Sequence, residues 1–261
     1  MTDIIGFVCA IFIGIILGLI GGGGSILTIP VLVYILGVET ILATSYSLFI
    51  TGTTALFGAI KNIKNGTVNL RVGLIFAFPS LISIYLTRRF IITSLPEKIN
   101  ITERLIFYKE ELIMLFFAII MLFSAFYMLK KRKERNRNKE IKYLYITLEG
   151  LIVGVISGLI GVGGGFLIIP ALVFAGGLSM KIAVGTSLII ITLKSFIGII
   201  GDLYTPIKIN YLFLLKFSFF SVVGMSLGLY ISKFMSEEKL KKIFGFFVLF
   251  ISVFIFIKEL Y

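Results

Sequence analysis

Long apolar runs separated by short polar interruptions extend along the whole chain. Ten can be drawn, near residues 4–20, 26–37, 41–60, 72–87, 112–129, 143–160, 166–177, 182–200, 211–231 and 243–257. Each reads as a helical segment. A helix that crosses the hydrocarbon core of a bilayer needs about 20 apolar residues. The runs at 26–37 and 166–177 fall clearly short of that, and each directly follows a cluster of glycines. The pattern predicts an all-α polytopic membrane protein with two helices broken at glycine.

The glycine clusters are copies of one another. Residues 18–30 read GLIGGGGSILTIP and residues 158–170 read GLIGVGGGFLIIP. Between 14–30 and 154–170, 11 of 17 positions are identical, and the same offset of 140 pairs Gly37 with Gly177, Ala43 with Ala183, Ser47 with Ser187 and Gly58 with Gly198. Shared apolar composition does not match Gly, Pro and Ser in a single register, so the chain is an internal duplication. The halves are residues 1–129 and 143–261, joined by KKRKERNRNKEIK over 130–142.

Five segments per half is an odd number, which predicts that the second repeat is inverted relative to the first. Charge tests this. If the 130–142 linker is cytoplasmic and all ten segments cross, the inside loops carry Lys61, Lys64, Arg71, eight basic linker residues, Lys181, Lys233, Lys239, Lys241 and Lys242. The outside loops carry Arg88, Arg89, Lys98, Arg104, Lys109, Lys208 and Lys258. This excess of cations inside supports inverted repeats with both termini outside. The crowded 88–110 loop is the exception, and Glu97, Glu103, Glu110 and Glu111 offset its cations.

Composition agrees with the pattern and removes other chemistries. The chain is 58% hydrophobic and 15% charged, with a mean hydropathy of +1.09, whereas soluble domains carry about 25% charged residues. Its net charge of +12 belongs to loops on one side of a membrane, so no nucleic-acid partner is expected. The absence of histidine removes imidazole metal sites and a Ser-His-Asp triad, and the lone Cys9 offers no disulfide or CxxC pair. No metal or cofactor is expected. MTDIIGF lacks a basic n-region and a cleavage site, so the first run reads as a permanent segment.

The glycine clusters match neither a Walker A loop, which needs a lysine after its glycines, nor a G-x-G-x-x-G fingerprint. Inside a bilayer, unwound backbone is tolerated only where protein buries it or where it lines a wet cavity. Each cluster therefore predicts a helix break, and the following short helix directs its amides and positive dipole end inward. Two such ends, at Ser25–Ile26 and Gly165–Phe166, are expected to meet near the midplane and suit a small anion. The predicted lining is Gly22, Gly23, Gly24 and Ser25 from one half and Gly163, Gly164 and Gly165 from the other. Gly14, Gly18, Gly154 and Gly158, spaced by four, suit close helix packing instead. Ser47, Thr186 and Ser187 either donate to an anion or bond their own helices. Lys194, an intramembrane lysine, supplies charge near the substrate, and Glu149 is its candidate partner or a proton carrier.

The pairing of GLIGVGGGFLIIPALV with AVGTSLII, and of GLIGGGGSILTIPVLV with ATSYSLFI, resembles the TauE/SafE family. The resemblance covers both halves. It implies a multi-pass permease of the cell membrane for sulfur-containing anions such as sulfite or organosulfonates. Importers and exporters both occur in that family, so direction is not implied. Tyr46 stands where the second half has Thr186, which puts a hydroxyl role at position 46 in question. The expectation is a secondary transporter of a small anion working by alternating access, coupled to a proton or sodium gradient or to the substrate's own. A passive anion channel and a non-transporting scaffold or assembly factor are the rival readings.

Overall fold

A computed structural model of the chain describes residues 2–96, 98–102, 105–129, 143–160, 164–174, 176–202 and 210–260. The linker 130–142 and Gly163 lie outside the described residues. In the first half, α1 (Thr2–Ile20) is followed by α2 (Gly23–Pro30), which runs on through a π-helical turn (Val31–Ile35). Next come α3 (Thr40–Lys64) and α4 (Leu70–Leu86), the latter extended by a second π turn (Thr87–Ile91) and a last turn, α5 (Ile92–Ser94). Strands β1 (Lys98–Thr102) and β2 (Leu105–Tyr108) precede α6 (Lys109–Leu129). The second half contains α7 (Tyr143–Ile160), α8 (Gly165–Phe174), α9 (Met180–Asp202), α10 (Tyr211–Ser232) and α11 (Glu237–Leu260).

All ten predicted segments are helical, and the polytopic all-α class holds. Among the described residues, six helices are long and apolar enough to cross a membrane: α3, α4 with its π turn, α7, α9, α10 and α11. The one departure is the antiparallel ribbon β1–β2, which occupies the polar loop after α5. Large apolar side chains such as Phe78, Phe123, Phe219 and Phe250 point outward from these helices, as a lipid-facing surface requires.

The short helices do not cross; α2 doubles back on α1. A methyl group at Gly24 would lie 2.5 Å from the Ile13 carbonyl oxygen, and one at Gly6 would lie 3.2 Å from Leu36. At about 1.5 Å per residue, α2 and its π turn reach only about 20 Å, less than the bilayer core of about 30 Å. The returning arms end alike. Gly37 and Gly177 adopt φ of +65° and +64°, and the amides of Val38 and Leu178 bond back six residues to Leu32 and Leu172. Each is a left-handed glycine ending one residue wider than a Schellman motif, and glycine adopts it without strain. A hairpin adds an even number of crossings whether or not its arms reach the far side, so the sidedness of later segments is unaffected.

The two halves pack by exchange. α1 lies along α10 and α7 lies along α4, each pair running in the same direction, while α3 packs on α9 and α6 on α11. The glycines spaced by four make these contacts close. A methyl at Gly14 would lie 1.9 Å from the Ser221 oxygen and one at Gly154 would lie 2.7 Å from the Ser80 oxygen. Gly52 faces Ser195 and Gly198 faces Leu48, so the equivalent helices α3 and α9 run antiparallel.

The exchange is latched by hydrogen bonds. Asn69 and Asn210 cap α4 and α10 by accepting from the Val72 and Phe213 amides, both at 3.1 Å. The Asn69 amide donates to Thr186 Oγ1 at 2.9 Å, and the Asn210 amide donates to Tyr46 Oη at 2.8 Å. Tyr46 and Thr186 therefore do the same work in opposite halves, which answers the question raised by tyrosine at position 46. The longer tyrosine side chain reaches Asn210, the counterpart of Asn69.

Candidate functional site

The site is best followed along α9, which lines it from end to end. At the basic face, carrying Lys61, Lys181 and Lys233, a pocket of about 260 Å³ opens between α3, α9 and α10, with Asn62, Val184 and Leu229 in its wall. Further in, Ser187 and Val184 meet the tip of the first hairpin: a methyl at Gly21 would lie 2.9 Å from Ser187 Oγ and 3.1 Å from Val184. Gly21 has φ of +76°, a left-handed turn that glycine adopts at little cost.

At the centre the two hairpin tips touch. A methyl at Gly22 would lie 1.9 Å from Gly165 Cα, and one at Gly165 would lie 2.0 Å from Gly22 Cα. The sequence predicts a ligand space between these loops. The structure instead presses backbone on backbone, because only two facing glycines allow such an approach. α8 begins at Gly165 as expected, while α2 begins at Gly23, two residues earlier than expected.

Beyond the tips lies Lys194, fully buried. Its ammonium donates to Ser157 Oγ at 2.8 Å, and a methyl at Gly164 would lie 2.9 Å from Nζ. Gly164 has φ of +72°. Among the described residues, no carboxylate pairs with Lys194. Glu149 sits eight residues before Ser157 on α7, about 12 Å along the helix. Its buried Oε2 has no hydrogen-bond partner among the described residues. Lys194 is thus partnered by a neutral hydroxyl, and Glu149 is not in that bond. α9 then ends at Asp202, whose carboxylate pairs with the buried Arg88 from the π turn after α4.

The remaining predicted residues divide by role. Gly24 packs on α1, Ser25 stands in the first turn of α2, and Thr186 serves the latch to Asn69. Ser187 Oγ donates to the Val184 carbonyl at 2.8 Å, a bond to its own helix. Ser47 Oγ is buried with no hydrogen-bond partner among the described residues. The apolar pattern does not point to Arg88 and Asp202, because each falls one or two residues beyond an apolar run. Arg88 reads from sequence as an outer-loop cation, whereas the structure buries it at 2% exposure.

The comparisons with known proteins agree with a membrane protein. A family model described as sulfite exporter TauE/SafE matches residues 6–255. The chain belongs to the TauE/SafE family. Relatives of this TauE/SafE protein include a probable membrane transporter protein of Methanocaldococcus jannaschii, 32% identical over 77% of this chain and 70% of its own length. Another, of Xylella fastidiosa, is 27% identical over 93% of this chain and 90% of its own. A third, of Bacillus subtilis, is 27% identical over 88% and 90%. No solved structure matches. With its apolar helices, the chain is a multi-pass integral protein of the cell membrane and a membrane transporter.

Proposed function

We propose that this TauE/SafE protein is a secondary carrier for a small, sulfur-containing anion of the sulfite or organosulfonate class, and that Lys194 binds the anion. The observation that carries this reading is a fully buried ammonium held only by the Ser157 hydroxyl among the described residues. An intramembrane cation is costly unless compensated, and a bound anion supplies that compensation. The hydroxyls of Ser157 and Ser47 and the first-turn amides of α2 and α8 are the accompanying donors.

The halves are inverted repeats on this reading, supported by the antiparallel packing of α3 on α9. The basic face is cytosolic, since it carries Lys61, Lys181 and Lys233 and the helix ends flanking the basic linker. The structure then combines an open inner pocket with a closed centre. Rocking of the hairpins would part Gly22 from Gly165 and let the anion pass between Lys194 and the pocket, as alternating access requires. Glu149 is the candidate for proton coupling, on the strength of its unpartnered oxygen.

Reconstitution into liposomes tests this. Sulfite, thiosulfate, sulfoacetate and sulfate are offered with and without proton and sodium gradients. Saturable flux of at least one, raised by a gradient, is the expected result. Single-channel currents would favour a passive pore, and no flux for any of the four would overturn the substrate class.

A further inference from the structure

Arg88 and Asp202 form a buried polar cluster that the carrier reading leaves without a task. Arg88 Nε donates to Asp202 Oδ1 at 2.6 Å and Nη2 donates to Oδ2. Nη1 and Nη2 also reach Thr44 Oγ1 at 3.2 and 3.3 Å, Nη2 reaches Ser45 Oγ at 3.0 Å, and Nη1 reaches the Gly158 carbonyl at 3.4 Å. Ser45 Oγ donates in turn to Asp202 Oδ2 at 2.7 Å. Thr44, Ser45 and Arg88 come from the first half, Gly158 and Asp202 from the second. Four of its seven bonds, those to Asp202 and to the Gly158 carbonyl, therefore cross between the two halves.

Its position is informative. At the repeat offset of 140, Asp202 matches Asn62, Thr44 matches Val184 and Gly158 matches Gly18; after the one-residue slip that pairs Asn69 with Asn210, Arg88 matches Leu229. Asn62, Val184 and Leu229 line the open pocket on the basic face, and Gly18 packs against Leu229. The cluster thus occupies the pseudo-symmetric equivalent of that pocket, with a guanidinium and a carboxylate filling what is space on the other side. It lies two turns of α9 beyond Lys194. Arg88 stands on a π turn, an element that re-aims side chains and concentrates at functional positions. Desolvation offsets much of a buried pair's attraction, so such a pair serves better as a latch that can exchange than as a source of stability.

We propose that Arg88 and Asp202 are the outer gate of the transport path, closed here while the inner mouth is open. The inference rests on the carrier reading for the path it closes, and is tested without measuring transport. Ser157 is replaced by cysteine in a Cys9→Ser background, and right-side-out vesicles are treated with a membrane-impermeant methanethiosulfonate. With the gate intact, labelling from outside is slow. Asp202→Asn and Arg88→Met should each raise the rate by at least tenfold, and the exchanged pair Arg88→Asp with Asp202→Arg should bring it back toward the original.

A Ser232→Cys reporter at the inner pocket, labelled in inside-out vesicles, should react no faster in any variant, since outward opening draws on the inward-open state. If either charge variant fails to fold, Thr44→Val with Ser45→Ala removes the supporting hydroxyls and should give a smaller acceleration from the same side. Unchanged outside labelling in the folded variants overturns the gate, as does equal acceleration at the inner reporter, which marks general loosening. Gated labelling in a protein that carries none of the test anions would keep the gate and overturn the carrier.

Discussion

The two mouths of the molecule are built on one scaffold and finished differently. On the basic face, Asn62, Val184 and Leu229 leave a pocket rimmed by Lys61, Lys181 and Lys233. On the opposite face, Asp202, Thr44 and Arg88 stand at the matching positions and close on one another. Asn62 itself is spent locally, donating to the Gly58 carbonyl at 2.9 Å and accepting from Thr67 at 2.7 Å. The matched positions share one repeat register, but their charges differ. A duplicated sequence can thus carry lysines around an open pocket at one end and a neutralised pair at the other, with the buried Lys194 between them.

The strongest way to break the comparison is to remove what lies between the mouths. Lys194→Met keeps the length of the side chain and discards its charge. It should lower flux about a hundredfold, the effect of losing one charged hydrogen-bonding group of ~3 kcal/mol. Flux in proteoliposomes beside a thermal melt checks this, since the variant should fold at least as well as the parent. Next comes transplantation. Asn62→Asp with Leu229→Arg builds the outer pair at the inner mouth, and should slow labelling of a Ser232→Cys reporter and transport together, each by about tenfold, as ~1.4 kcal/mol would.

Smaller effects sharpen the contrast. Lys61→Ala, Lys181→Ala and Lys233→Ala should each raise the apparent KM from the cytosolic side about threefold at low salt, with the difference fading near 1 M salt as screening shortens to about 3 Å. Outer-side uptake should not show this pattern. The smallest effect on transport belongs to the latch. Tyr46→Phe and Thr186→Val should each cost about 1 kcal/mol of stability by leaving an amide unpaired, seen as a lower melting temperature, with flux through the surviving protein unchanged.

Much of this fold was legible in the apolar pattern because membrane helices announce themselves by length and composition. The duplication was legible because Gly14, Gly18, Pro30 and their copies recur in register. The helix break near Gly21 and Gly22 followed from the conformational freedom of glycine. Their consequence did not: sequence shows that Gly22 and Gly165 can turn or approach closely, and only three-dimensional packing shows that they approach each other.

The gate residues escaped for a related reason. Arg88 and Asp202 sit 114 positions apart, beyond the ends of their apolar runs, and a charge at a helix end reads as solvated until the opposing helix is seen. The crossed bonds from Asn69 to Thr186 and from Asn210 to Tyr46 were hidden because one latch uses threonine and the other tyrosine. The function is shared, while the residue type differs.

The central claim is that an anion is carried past Lys194, and counterflow tests it most directly. Proteoliposomes are loaded with an unlabelled anion from the sulfite, thiosulfate, sulfoacetate and sulfate panel, and entry of the labelled form is followed. The account predicts saturable entry that is accelerated by the internal anion and lost in Lys194→Met. Entry that rises linearly with concentration, ignores the internal anion, or persists undiminished in the folded Lys194→Met variant would contradict it.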